Sequence, residues 1–181
     1  MVGINTYASF GLVVGSFGIE GTGPLTGRKQ MEMTAIIEKL DRHRHDIGEV
    51  KALLALAVGR PTLDKLAYLI DQFYASDTRS VFVALMDGRI AGIIGMEHAA
   101  RSYGVITHLA VHPELRKKGM ASRLIRHVMT AFSLSEIEVE TDQDAVEFYR
   151  ACGFQARELD SPYQGVRRFR CMKSTALETE G

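Results

Sequence analysis

Three cations stand together at residues 116–118: Arg116, Lys117 and Lys118, immediately before Gly119, Met120 and Ala121. From Met120 the chain takes on helical spacing. Met120, Ala121, Leu124, Ile125, Val128 and Phe132 fall on one face; Ser122, Arg123, Arg126 and Thr130 fall on the other. A helix N-terminus carries partial positive charge and ordinarily recruits Asp or Glu. Here cations crowd it instead, and no Ser, Thr, Asp or Asn stands ready as a cap. The first-turn N–H groups are left for an external acceptor. Gly119 lets that acceptor approach the backbone closely, and Ala121 obstructs it little. The chemistry these residues offer is anion binding, with two tandem phosphates suited both to the N–H row and to the charges. A solvated basic loop is the plainer reading. The setting favours the anion site, because the cluster lies between an apolar strand ending near Val111 and an amphipathic helix, with Pro113 holding His112 extended.

Other reactive side chains offer less. His43 and His45, in the stretch DRHRHD, are two apart with no cysteine nearby, whereas zinc needs three or four convergent ligands. No metal is expected. Cys152 falls on an apolar helix face with no neighbouring base in sequence, which reads as burial rather than nucleophilic chemistry. The two cysteines, Cys152 and Cys171, are too few for a disulfide framework, and a reduced, cytoplasmic setting is expected.

The elements that must position these groups can be read from periodicity. TAIIEKL, from Thr34, is a short β-like run. DIGEVKALLALAV spaces Val50, Leu53, Leu54 and Ala57 as a helix. A second helix is predicted to open at Pro61 and run through Leu63, Leu66, Ile70 and Phe73. Two β-rich runs flank Asp87-Gly88, the dipeptide of a two-residue hairpin. YGVITHLAV is a third, mostly apolar strand, and so a central one. The helix from Met120 follows, then the alternating strand EIEVET. Asp144 with Glu147 predicts a capping box for a helix bearing Ala145, Phe148, Tyr149 and Cys152 on one face, ended by Gly153. VRRFRCMK closes as an alternating strand. The order β-α-α-β-β-β-α-β-α-β-β predicts a mixed α/β domain around a single, mostly antiparallel sheet with flanking helices.

At 181 residues, 46% hydrophobic and 24% charged, the chain fits one soluble domain. Lys+Arg and Asp+Glu both number 22, without the basic excess of most nucleic-acid binders, so no nucleic-acid partner is expected. No apolar run is long enough to span a membrane. Residues 1–30 are rich in glycine, with Glu20 the single charge before residue 28, and read as a leader outside the core fold. They lack the basic start and unbroken apolar run of a secretory signal. The domain is expected over 31–175, with a tail at 176–181.

LAVHPELRKKGMASRLI resembles the acyl-CoA-binding motif R/Q-x-x-G-x-G/A of the GNAT N-acetyltransferase superfamily, and DQDAVEFYRACGF resembles its next segment, N-x-x-A-x-x-x-Y-x-x-x-G-F. The element order is similar from about Thr34 to Lys173. The resemblance implies acetyl-CoA as co-substrate. Leu109, Ala110 and Val111 would pair through their backbone with its pantetheine arm. The amides of Lys118, Gly119, Met120 and Ala121 would hold the pyrophosphate, with Arg116, Lys117 and Ser122 beside them. It also implies a split in the sheet for the cofactor, and Tyr149 at the sulfur as general acid, since a leaving thiolate needs a proton and a phenol within reach can give one. Position alone equally allows a core tyrosine.

Two departures stand out. Asp142 replaces the usual Asn, and Val105 occupies the position where many relatives carry a Glu as general base. Candidate bases are then His108, whose ordinary pKa suits the task, and Glu97; an amine arriving neutral needs neither. SPYQGVRRFRC could face the acceptor through Tyr163, Arg167, Arg168 and Arg170, or form a turn and an edge strand with solvated arginines. The expected activity is transfer of acetyl from acetyl-CoA to a primary amine on a small molecule or peptide, by direct attack. A non-catalytic CoA-binding module and a nucleotide-binding regulator are the alternatives, and a homodimer is possible.

Overall fold

The computed structural model of the chain describes residues 35–160 and 165–175. The leader at 1–30, Met31 to Thr34, Tyr163 and the tail at 176–181 lie outside the described residues. The elements follow the expected order: β1 (Ile36–Lys39), α1 (Ile47–Ala57), α2 (Leu63–Asp71), β2 (Arg79–Met86), β3 (Arg89–Ala100), β4 (Tyr103–Val111), α3 (Met120–Ala131), β5 (Glu136–Asp142), α4 (Val146–Ala151), β6 (Gln155–Leu159) and β7 (Arg168–Ser174). Short 3-10 turns at Phe73–Ala75 and Pro113–Leu115 link α2 to β2 and β4 to α3.

One seven-stranded sheet, ordered β1-β2-β3-β4-β5-β7-β6, carries the fold. Neighbours are antiparallel except β4 and β5, which run parallel. Asp87 and Gly88 both take positive φ, 52° and 77°, as a tight two-residue hairpin requires. The parallel pair is short. Residues 103–105 register with 136–138, and from there β4 continues to Val111 and β5 to Asp142 without pairing. The sheet therefore splits between its fourth and fifth strands.

Each face has its own core. On one side α1 and α2 bury Val50, Leu54, Leu66 and Ile70 against Val83, Ile93 and Ala110. On the other, α3 and α4 bury Leu124, Val128, Val146 and Tyr149 against Ile94, Leu109, Val139 and Phe169.

Three expectations are corrected. α2 opens at Leu63, not Pro61, because Thr62 is the cap, its Oγ1 accepting the Lys65 N–H at 3.2 Å; Phe73 falls past its end in the 3-10 turn. α4 has no capping box: Asp142, not Asp144, turns the chain by accepting the Asp144 N–H at 3.1 Å. The last strand is no edge. β7 lies between β5 and β6; Arg168 is buried near Glu140, while Arg170, paired with Glu138 and Glu140, and Arg167, just before the strand and paired with Glu158, are exposed as expected.

Candidate active site

The start of α3 has the character its sequence indicates. Gly119 takes φ 77° and ψ 3°, a left-handed conformation that suits glycine, and no side chain caps the helix behind it. A Cβ at Gly119 would meet nothing within 4 Å, so the space in front of the first turn is open. Lys117 also has positive φ, at 61°. A left-handed residue beside a right-handed one turns successive N–H groups to one side, the kind of concavity in which anions can bind. Arg116 donates from Nε to the Val111 carbonyl at 3.3 Å, which ties its guanidinium to the end of β4. Lys117 and Lys118 are exposed beside it.

β4 leads into this site. Leu109, Ala110 and Val111 pair with Ile94, Ile93 and Gly92 of β3, and their other edge faces the split. Since backbone groups alternate in direction along a strand, half of the polar groups here point at the opening. The register with β3 slips between Gly95 and Met96, where Gly95 faces His108 and Met96 faces Ile106, so Thr107 is the extra residue of a β-bulge.

The two faces of the split carry different groups. On the α3 side Tyr149 is 2% exposed, its ring edge-on to Phe148 at 5.0 Å and Phe154 at 5.3 Å. Burial, and then the nearby Cys171, Cys152 and Asp142, push its pKa up, so the phenol keeps its proton. Burial likewise raises Asp142. Ser122 Oγ lies 3.2 Å from Cys152 Sγ, joining α3 to the end of α4.

On the α1–α2 side stand both candidate bases. His108 is 3% exposed, and burial, with Lys65 adding to it, brings its pKa down to about 4. Its Nδ1 lies 2.5 Å from the Tyr74 hydroxyl, which is also 2.7 Å from Thr107 Oγ1. Glu97 accepts from Arg79 Nε at 2.8 Å, and that guanidinium rests on the Phe73 ring at 4.1 Å. Glu97 registers opposite Val105, so a carboxylate reaches the region of the missing Glu from the neighbouring strand. Tyr74 and Thr107 were not legible as site residues. The one sequence signal was Gly95 inside an apolar strand, a mark of close approach.

His45 serves structure, with Nε2 2.8 Å from Glu38 Oε1 and Nδ1 accepting the Asp41 N–H at 2.9 Å. Among the described residues no three His, Cys, Asp or Glu side chains are grouped to hold a metal, and no helix there is long and apolar enough to cross a membrane.

The seven-stranded mixed sheet, split between its fourth and fifth strands and flanked by helices, is a fold that comparison with known proteins identifies. Residues 64–174 match the acetyltransferase (GNAT) domain, and the chain belongs to that family. Among solved structures, a protein from Desulfovibrio desulfuricans assigned to the GNAT family is similar at 18% identity, over 78% of this chain and 99% of that one, with TM-score 0.64. An aminoglycoside 6′-N-acetyltransferase complexed with coenzyme A is similar at 16%, over 77% and 96%, with TM-score 0.62. The ribosomal-protein-S18-alanine N-acetyltransferase from Escherichia coli is similar at 16%, over 81% and 98%, with TM-score 0.60. At these identities the likeness is one of fold. No curated protein sequence matches the chain.

Proposed function

We propose that the chain is an acetyl-CoA-dependent N-acetyltransferase acting on a primary amine. The observation that carries this reading is the continuity of the open β4 edge with the uncapped start of α3, which offers amide pairing and diphosphate binding along one line. The aminoglycoside and ribosomal-protein acetyltransferases of the same fold support an amine as acceptor.

Acetyl-CoA supplies the acetyl group already activated as a thioester. Leu109, Ala110 and Val111 hold its amide-bearing arm through their outward backbone groups. The amides of Lys118, Gly119, Met120 and Ala121 take the pyrophosphate, with Arg116 and Lys117 adding charge and Ser122 in the same first turn. Backbone N–H groups of β4 face the charge that gathers on the carbonyl oxygen. The amine nitrogen bonds to the carbonyl carbon as the carbon–sulfur bond breaks. Tyr149 gives its proton to the sulfur, and the nitrogen loses one to water. Tyr149 stands on one side of the sheet and His108 and Glu97 on the other, which suits a leaving group and a nucleophile on opposite sides of the split. His108, held neutral, is a weak base, so the amine enters neutral or sheds its proton through water near Glu97.

The test is thiol release from acetyl-CoA across a panel of primary amines. Turnover with one class of amine is expected, and Tyr149→Phe should lower kcat by about 100-fold or more while CoA still binds. Binding of CoA with no thiol release from any amine would make the chain a binding module. Competition by ATP on equal terms with CoA would point to a nucleotide regulator.

A further inference from the structure

We propose that Tyr74 is a positioning residue that clamps the β4 bulge and so aims the backbone donors beside Thr107 at the reacting carbonyl; this rests on the acetyltransferase reading above. Successive side chains on a regular strand point to opposite faces. One hydroxyl nevertheless reaches both Thr107 Oγ1, at 2.7 Å, and His108 Nδ1, at 2.5 Å. Only the bulge brings these two consecutive side chains to the same side. The sheet also makes room for the clamp. Gly95 faces His108 in register, and a Cβ there would lie 1.8 Å from the Tyr74 oxygen. Phe73, buried and edge-on to both Tyr74 (5.0 Å) and His108 (6.3 Å), fixes the two rings.

The proton arrangement is consistent. With the proton of neutral His108 on Nε2, Nδ1 accepts from the Tyr74 hydroxyl while Thr107 donates to the Tyr74 oxygen, which satisfies all three groups. The extra residue of a bulge leaves its backbone out of the ladder. Here that happens two residues after β4 has stopped pairing with β5, at the mouth of the split. A backbone N–H not engaged by either neighbouring strand can serve a carbonyl oxygen as it gains charge, provided its direction is fixed beforehand. Tyr74 fixes it.

The experiment compares wild type with Tyr74→Phe, which keeps the ring and removes the hydroxyl. Steady-state kinetics with acetyl-CoA and the best amine of the panel are read beside the backbone amide NMR shifts of residues 106–109. Expected are a kcat lower by about tenfold, a KM for acetyl-CoA within about twofold, and amide shifts concentrated at 106–109. Gly95→Ala, which displaces the hydroxyl without deleting it, should lower kcat similarly. An unchanged kcat, unmoved amides, or a loss that falls on KM instead would each overturn the proposal. So would a kcat loss that only tracks the folded fraction seen by circular dichroism. A wild-type chain that turns over no amine would remove the acetyltransferase reading and this proposal together, whereas an active wild type with an unimpaired Tyr74→Phe variant removes the proposal alone.

Discussion

His108 shows how burial redirects a residue that its type alone would make a base. An exposed histidine titrates near 6.5, where it can accept and return protons. Here burial first, and Lys65 second, lower its pKa to about 4, so it is neutral throughout the physiological range. The consequence for stability has a definite sign. Between pH 6.5 and 4 the unfolded chain binds this proton and the folded chain does not, so stability falls as pH falls through that window. Unfolding in urea at pH 7 and pH 5 should show a loss of about 2 kcal/mol from this group. His108→Gln should lack that share of the loss. A slope unchanged by the substitution would mean that the imidazole is solvated. Tyr149 is shifted by burial too, but upward, which keeps it protonated and able to donate.

At the scale of elements, the helix start is where sequence and structure agree most closely. The cations, the missing cap and the glycine were all visible as residue types, and Gly119 proves to need its φ of 77°. That angle divides the effects of substitution. Gly119→Ala should cost about 1 kcal/mol of stability through backbone strain and weaken CoA binding only modestly, since its Cβ meets no protein atom but narrows the approach of the proposed phosphate without adding charge. Gly119→Glu should carry the same strain and also abolish CoA binding, because it sets a carboxylate at the proposed phosphate site. Isothermal calorimetry on both variants separates strain from charge; equal affinities would remove the phosphate from this site. The hairpin at Asp87-Gly88 was legible for a similar reason, since its turn is local. The bulge was not. ITHLAV alternates no differently from an unbroken strand, and the slip appears only against the register of β3. Nor could the place of β7 be read, since insertion of the last strand between β5 and β6 is decided by pairing across the whole sheet. The family motif made the split expected, but its position after residue 105 is a property of the paired strands.

At the scale of the molecule, two cores of different duty share one sheet. Leu54 and Leu124 are both fully buried, the first under α1 and the second under α3. Replacing either by Ala should cost about 2–5 kcal/mol. Only Leu124→Ala should also weaken CoA binding by several-fold when measured well below its melting temperature, because the proposed phosphate site lies at the start of α3 and not on α1. Equal affinities in the two variants would show that the seat of α3 is irrelevant to the site. The split has a further consequence, in the protein's behaviour toward its own kind. An open sheet ordinarily has two free borders, which invite strands from other molecules. Here the outer borders are the four-residue β1 and the five-residue β6, too short to recruit much. The parting of β4 from β5 adds two inner borders that face each other. Self-association through strands should therefore begin at the interior gap rather than at the rim, and whatever fills that gap also guards the protein against aggregation.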